Sequence, residues 1–236
     1  MSSDTEQLIR QFKALSDGLR LRIVALCQQG ELSVGELTDV LGLSQPRVSQ
    51  HLKQLCEADL LERFRDGKRV YYRQPAAAGA VTRRVLGLVP THDAVFADDL
   101  ERLRALRGGG VDPDRVADPS HRAIHRALLG QTVAAPLGDL LDIGCGRGSI
   151  LKLLASRANR AIGVDIDADA RDIARTELLL AGLPNCSLRQ GDMYRLPFDD
   201  ADFDTIVLDD VLTEADHPRR VLREARREIQ LRLKLG

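Results

Sequence analysis

The sequence predicts two domains of different fold class: a mainly helical N-terminal domain with one β-hairpin, then an α/β domain with a doubly wound parallel sheet. Three observations predict this division. Apolar residues recur at helical spacing through the first part of the chain. An Asp-Gly pair at 66–67 lies between two strand-like runs, as in a hairpin. From Asp139 onwards, short apolar runs alternate with helical stretches.

Composition and charge limit the classes of protein that this chain can be. It has 236 residues, of which 44% are hydrophobic, and no apolar run approaches bilayer length. The N-terminal residues lack the features of a signal peptide, so we expect a soluble, cytoplasmic protein without membrane contact. Residues 1–90 carry 13 basic and 10 acidic side chains, whereas residues 91–236 carry 21 and 25. The two halves therefore suit different partners.

The chain opens with two amphipathic helices, for which we predict one buried apolar stripe each. The stripes recur at i, i+4 and i+7 and consist of Leu8, Phe12 and Leu15, then Leu19, Ile23 and Leu26.

A helix, a tight turn and a second helix follow. Ser33 and Glu36 have capping-box spacing, and Gly42 is placed to end that helix in the left-handed conformation. Ser44 caps the next helix, with Pro46 in its first turn. This second helix is of the kind that enters a major groove, and its outward residues are Gln45, Arg47, Ser49, Gln50 and Lys53. For His51, on the same helix, we predict either contact with DNA or local packing within the domain.

Residues 60–73, LLERFRDGKRVYYR, predict a hairpin in which Asp66 and Gly67 adopt positive φ angles. Such a wing can contact phosphates or a minor groove. The basic side chains around its tip are Arg63, Arg65, Lys68 and Arg69.

The stretch from ALSDGLRLRIV to VYYR, within about the first 75 residues of the chain, is similar to the winged helix-turn-helix repressors of the ArsR/SmtB family. The resemblance implies a homodimer, formed through the first helix and a helix after the wing, that binds an inverted-repeat operator and is released by an effector. Metal-sensing members carry thiolates where ELSVGEL has Ser33 and Gly35. Because these are poor ligands for a soft ion, we predict no metal effector. His121 and His125 lack a further ligand at matching spacing for zinc.

We divide the chain into a DNA-binding domain at 1–75, a helical linker and dimerisation segment at 76–135, and an α/β domain at 136–236. Within the linker, DAVFADDLERLRAL has helical spacing. The glycine- and proline-rich residues 107–119 should not be helical.

In the α/β domain, the informative residues follow each predicted strand, because ligands bind at the carboxyl ends of parallel strands. Three glycines after the first strand allow close approach of the backbone and can offer free amides. Carboxylates follow the later strands, and the ligand candidates at these strand ends are Asp142, Gly144, Gly146, Gly148, Asp165, Ile166, Asp192, Met193 and Asp209. Asp210 ends the fourth strand beside Asp209.

LLDIGCGRG, VDID, GDMYRLPF and FDTIVLDDVL closely resemble the motifs of class I S-adenosylmethionine-dependent methyltransferases, over about residues 137–228. The resemblance implies a Rossmann-like domain in which Asp142 and the three glycines surround the amino-acid part of the ligand. Asp165 would bind the ribose, and Ile166 would pack on the adenine. Asp192 and Met193 would meet the adenine edge and ring, and Asp209 would close the methionine side.

The combined architecture resembles bacterial regulators that respond to S-adenosylhomocysteine or S-adenosylmethionine, and a regulator with one of them as effector is the function we favour. An active methyltransferase with a DNA-binding domain and a scaffold that binds no ligand remain as alternatives. Class I domains have seven strands, whereas we count four here, so we expect a truncated fold with an incomplete acceptor site. For residues 229–236 we favour a continued helix over an edge strand.

Overall fold

The computed structural model of the chain describes residues 3–75, 78–90, 93–108 and 136–229, with isolated positions at 127, 128, 130 and 132. The chain divides into two compact units, Met1–Gly110 and Val111–Gly236. The first unit extends past residue 75, where we placed the end of the DNA-binding domain, because two later helices pack on the earlier ones.

The first unit is mainly helical, and its small antiparallel sheet has the strand order β1-β3-β2. Helix α5 packs against α1, and α6 packs against α2 and α3. The elements are α1 (Ser3–Leu15), α2 (Gly18–Cys27), β1 (Leu32–Ser33), α3 (Val34–Leu41), α4 (Gln45–Glu57), β2 (Glu62–Asp66), β3 (Arg69–Arg73), α5 (Ala80–Leu86) and α6 (Ala94–Gly108).

The predicted limits of the helix-turn-helix are confirmed at α3. The Ser33 side chain accepts from the Glu36 amide while the Glu36 carboxylate accepts from the Ser33 amide, which is a capping box. Gly42 ends the helix with a φ of 64°. Ser44 is the residue before α4, as predicted, but its side chain makes no capping hydrogen bond.

The hairpin is also found, with a different turn from the one predicted. Asp66 is still paired with Arg69 in the antiparallel ladder, so Gly67 and Lys68 form the turn. Gly67 has a φ of 60°, whereas Asp66 is not among the residues with positive φ. The prediction for Asp66 is wrong because the strand extends one residue further than expected.

The predicted buried stripe of α1 is wrong at two of its three positions. Leu8 is 36% exposed and Phe12 is 49% exposed, and Ile9 beside them is exposed too. The buried side of α1 is instead formed by Gln11, Ala14 and Leu15. Helix α5 covers this side, where Gln11 Nε2 donates to Thr82 Oγ1 at 2.8 Å.

The second unit confirms the predicted α/β class. The four strands that the structure describes in this unit are parallel, in the order β6-β5-β4-β7, and apolar clusters cover both faces of the sheet. Its elements are β4 (Asp139–Ile143), α7 (Ser149–Leu154), β5 (Arg160–Asp165), α8 (Ala168–Leu180), β6 (Cys186–Gln190), β7 (Thr205–Leu208), α9 (Val211–Glu214) and α10 (Pro218–Glu228).

Two predicted helix limits are wrong. Helix α6 includes Arg107 and Gly108, which we assigned to a non-helical stretch; the rest of that stretch lies outside the described residues, as do His121 and His125. Helix α10 ends at Glu228, and Ile229 is extended and pairs in parallel with Phe203, so the helix does not continue at this residue. Residues 230–236 lie outside the described chain. In the part that the structure describes, no helix is long and apolar enough to cross a membrane.

Candidate functional site

A cavity of about 340 Å³ opens at the carboxyl ends of β4, β5, β6 and β7, within the range of small-ligand sites. The topology brings these strand ends together because the sheet is parallel. Seven of the nine predicted ligand residues line the cavity: Gly144, Gly146, Asp165, Ile166, Asp192, Met193 and Asp209.

The glycine loop after β4 forms the floor of this cavity. Gly144 has a φ of 70°, and a Cβ atom there would lie 2.3 Å from Val211 Cγ2, so only glycine fits. We predicted that the glycine amides would be free donors, and this prediction is wrong. The amides of Gly144 and Gly146 donate to Val164 O at 2.7 Å and Asp165 Oδ2 at 2.8 Å, and that of Gly148 donates to Cys145 O at 2.8 Å. The loop therefore lets a ligand approach the backbone closely, but the amides of its three glycines are already used in hydrogen bonds within the protein.

Asp165, the last residue of β5, is hydrogen-bonded to this loop. Its Oδ2 accepts from the Gly146 amide and its Oδ1 from the Asp167 amide, each at 2.8 Å. Because a carboxylate has about four acceptor positions, each oxygen can accept one more hydrogen bond from a hydroxyl in the cavity. Ile166 beside it is 72% exposed, which leaves an apolar surface at the cavity rim.

Asp142 lies beneath the site rather than in its lining. It is 1% exposed, and among the described residues neither carboxylate oxygen has a hydrogen-bond partner. Burial raises the pKa of Asp142 well above its ordinary value, and Asp209 and Asp165 add to the effect. Gly148 also lies outside the lining; it is the N-cap residue of α7, where a Cβ would lie 3.1 Å from Ala174 Cβ.

Our sequence interpretation missed several residues that line the cavity, among them Gly191 and Glu214. Glu214 ends the short helix α9, and no spacing rule indicated that this helix turns back over the strand ends. Asp210, which we noted only as a strand end, also lines the cavity. Among the described residues, the lining thus includes five carboxylate side chains and no basic one, so its electrostatic potential favours cationic groups.

In the first unit, the outer face of α4 carries the polar side chains predicted for it. Ser44, Gln45, Arg47, Gln50 and Lys53 are exposed, and Ser49 is partly exposed. Val48, Leu52 and Leu55 on the opposite face are fully buried. The predicted amphipathic arrangement is therefore present.

His51 differs from the other residues predicted on α4. Its side chain is only 15% exposed, and its Nδ1 lies 3.9 Å from Asp17 Oδ1 at the start of α2. A ring in this position packs between helices instead of facing outward, so the second of our two interpretations, local packing, fits the structure.

The wing has the alternation expected of a two-stranded ribbon. Arg63, Arg65, Lys68 and Arg69 are exposed. Phe64, on the opposite side of β2, stacks against Tyr71 with ring centroids 5.8 Å apart. This aromatic pair stabilises the hairpin that presents the basic residues.

Two family models match the chain. Residues 17–63 match the model of the bacterial regulatory proteins of the arsR family, and residues 141–230 match a methyltransferase domain. The first match covers α2 to α4 and the start of the wing, and the second covers the whole cavity lining.

Curated relatives match the first part of the chain. The arsenic resistance transcriptional regulator ArsR1 of Pseudomonas putida is 43% identical over 97 residues, which cover 40% of this chain and 76% of that protein. The arsenical resistance operon repressor of Escherichia coli is 47% identical over 99 residues, 42% of this chain and 80% of that protein.

Solved structures match the second part. The YcgJ protein of Bacillus subtilis has 24% identity and a TM-score of 0.44, over 47% of each chain. A SAM-dependent methyltransferase of Aquifex aeolicus has 20% identity and a TM-score of 0.42, over 54% of this chain and 67% of that one. This chain spans about half the length of YcgJ. From the curated relatives and the two family models, this chain belongs to the ArsR family of bacterial transcriptional regulators and carries a methyltransferase domain behind its DNA-binding unit.

Proposed function

We propose that this regulator binds operator DNA through α4 and the wing, as a repressor, and that S-adenosylmethionine or S-adenosylhomocysteine in the cavity controls its affinity for DNA. The observation that carries the proposal is the cavity itself. Residues singled out for an adenosyl ligand from four separate sequence motifs meet around one volume of suitable size.

The residues at the site fit such a ligand. Asp165 keeps acceptor positions for the ribose hydroxyls, and Ile166 offers an exposed apolar side chain to the adenine. Asp192 and Met193 would meet the adenine edge and ring. Gly144 lets the methionine part approach the backbone, because any side chain there would strike Val211.

Charge also favours this ligand class over nucleotides with a pyrophosphate. Both adenosyl ligands carry an ammonium group, and S-adenosylmethionine adds a sulfonium whose methyl group is electrophilic. Asp209, Asp210 and Glu214 line one side of the cavity and would attract these cationic groups. The same carboxylates would repel a pyrophosphate.

The DNA side of the proposal rests on the exposed face of α4 and the four basic residues of the wing. We assign Gln45, Arg47 and Gln50 to base and phosphate contacts in the major groove. The wing arginines and Lys68 would neutralise phosphates without reading sequence.

We further propose a homodimer that uses the exposed side of α1. Leu8, Ile9 and Phe12 present adjacent apolar side chains that are 36–49% exposed in the described chain. A second copy of the same helix is the partner implied by family membership, and burial of these side chains would stabilise it.

Isothermal titration of each sulfur ligand into the full chain tests ligand binding. We expect binding to the wild type and a loss of at least about 10-fold in affinity for Asp165→Ala, since the ribose contacts are removed. Asp199→Ala, an exposed carboxylate outside the cavity lining, is the matched control and should bind normally.

The other functions give different results in the same set of measurements. Absence of binding heat for both ligands would contradict the proposal and leave a scaffold. Reproducible transfer of a labelled methyl group from S-adenosylmethionine to an acceptor in a cell extract would establish a methyltransferase instead.

A further inference from the structure

Helix α10 carries a strongly basic face that neither the cavity nor the core uses. Its sequence is PRRVLREARRE, with five arginines and two glutamates. The core-facing side consists of Val221, Ala225 and Glu228. Arg219, Arg223 and Arg226 follow each other at i, i+4 and i+7 and are all exposed, so they form one stripe opposite the buried side.

These three arginines are available to a partner. Within the described residues, none of them forms an ion pair, whereas Arg227 on the flank of the helix pairs with Asp200 and Glu224. The stripe is about 10 Å long at the rise of an α-helix, so it presents three guanidinium groups in a row to one surface.

The rest of the second unit has the opposite charge. Outside α10, residues 136–229 contain 8 basic and 16 acidic side chains. Among the described residues of this unit, a polyanion is therefore attracted most strongly to the α10 stripe, because the other described residues carry twice as many acidic as basic side chains.

A phosphate backbone suits this stripe better than a lipid surface. Helices that bind membranes insert an apolar face, but the apolar side chains Val221 and Ala225 of α10 are already buried in the core. Only Leu222, which is 48% exposed, remains beside the stripe. The first unit belongs to a family of DNA-binding regulators, so duplex phosphates are the polyanion that the whole chain meets.

We infer that Arg219, Arg223 and Arg226 of α10 form a second DNA contact surface, which binds duplex phosphates without sequence preference. This inference rests on DNA binding by the first unit and is independent of the adenosyl ligand. It extends the footprint of the protein beyond the bases that α4 reads, and makes part of the affinity depend on the methyltransferase domain.

The test is the salt dependence of binding to a random-sequence duplex of about 60 base pairs, measured by fluorescence anisotropy on the full chain without ligand. The triple variant Arg219→Ala/Arg223→Ala/Arg226→Ala should lower the slope of log affinity against log salt by about 2–3, since each phosphate contact contributes about 0.9. The matched triple lysine variant keeps the charges and should retain the wild-type slope within about one unit.

A wing variant, Arg63→Ala/Lys68→Ala, separates the two DNA surfaces. It should lower the slope independently, so that its effect adds to that of the triple alanine variant. If only the wing variant changes the slope, the α10 surface is refuted while DNA binding by the first unit stands. Loss of binding to phosphatidylserine vesicles or to RNA in the triple variant, with unchanged duplex binding, would also overturn the inference. Failure of the wild type to bind duplex would remove both surfaces.

Discussion

Two carboxylate oxygens of Asp142 lie beneath the cavity without a hydrogen-bond partner in the described part of the chain. Burial and the nearby carboxylates of Asp209 and Asp165 raise the pKa of Asp142, so ionisation of this residue costs free energy in the folded protein. A cationic ligand group close by would reduce that cost. Under the proposed function, ligand binding and stability make opposite demands on the Asp142 side chain.

Asp142→Asn should therefore stabilise the free protein and weaken ligand binding. An aspartate with a raised pKa retains its proton in the folded state, so stability falls as pH rises from its ordinary pKa towards the raised one. The amide removes this dependence. We expect the Tm at neutral pH to rise by on the order of 5 °C, with a smaller ligand-induced shift, in thermal unfolding between pH 4 and 8.

The control Asp199→Asn, at an exposed position, should change neither the Tm nor the ligand-induced shift of the Tm. A wild-type Tm that does not depend on pH over this range, or an Asp142→Asn protein with a lower Tm than the wild type, would contradict the interpretation.

Sequence reasoning predicted those cavity-lining residues whose position follows from their place just after a strand. Gly144, Asp165 and Asp209 are of this kind, because a parallel sheet brings its strand ends together. The contribution of Glu214 and the isolation of Asp142 could not be predicted, since they depend on how a short helix and the surrounding side chains close around the strands.

At the scale of elements, α6 is attached to α2 and α3 by partly buried ion pairs. Arg22 donates two hydrogen bonds to Asp99, at 2.6 and 2.7 Å. Near the end of α6, Arg107 donates to Glu36 Oε1 at 2.7 Å and to Glu31 O at 2.8 Å. Burial alone would raise the pKa of Glu36, but Arg107 and Ser33 hold it below its ordinary value. Arg107 therefore connects α6 to the capping box of α3.

Arg107→Ala should destabilise the first unit by about 2–4 kcal/mol, because Glu36 Oε1 and the Glu31 carbonyl lose the guanidinium that donates to both. Arg104→Ala, at an exposed position on the same helix, should change the free energy of unfolding by less than about 0.5 kcal/mol. Urea unfolding followed by circular dichroism measures both. Equal effects of the two substitutions would show that the ion pair does not hold α6.

Glu228, at the end of α10, should make the stability of the second unit depend on pH. Burial raises its pKa to about 7, although Arg227 acts in the opposite direction. The folded state thus binds more protons than the unfolded state between the ordinary pKa and about pH 7, and stability falls as pH rises through this range. Glu228→Gln should remove this fall and increase stability at pH 8 by on the order of 1–2 kcal/mol, measured by urea unfolding at several pH values. A variant less stable than the wild type at pH 8 would contradict this assignment.

Elements with strong local signals were predictable, including the capping box of α3, the glycine that ends this helix, the hairpin and all four parallel strands. The buried side of α1 was not predictable. Periodicity shows which side of a helix is apolar, but it does not show which side other elements of the same chain will cover. The extended conformation of Ile229 depends on pairing with Phe203, a contact that no local pattern predicts.

At the scale of the whole molecule, the sequence predicted two units of different class, and the charge difference between its halves agrees with their separate roles. The boundary at residue 75 was less predictable, because α5 and α6 attach to the first unit through contacts distant in sequence, such as Gln11 with Thr82 and Arg22 with Asp99. Under the proposed function, DNA reading and ligand binding belong to different units of one chain.

Phe12→Glu should convert the proposed homodimer to a monomer. A charge in the apolar patch of α1 cannot be buried against a second copy without a large desolvation cost. Sedimentation velocity should show a dimer for the wild type and a monomer for the variant, whereas Lys13→Glu, at an exposed neighbouring position, serves as the charge control. A wild-type monomer at micromolar concentration, or a dimeric Phe12→Glu variant, would refute the α1 interface.

The most direct test of the central claim is the affinity of the full chain for an operator selected from random duplexes, measured with and without each sulfur ligand at saturation. We predict that at least one ligand changes the affinity by about 10-fold or more, which requires a coupling free energy of about 1.4 kcal/mol, and that Asp165→Ala abolishes the change. Equal affinity with and without both ligands, in a protein that binds them, would contradict control of DNA binding by the methyltransferase domain.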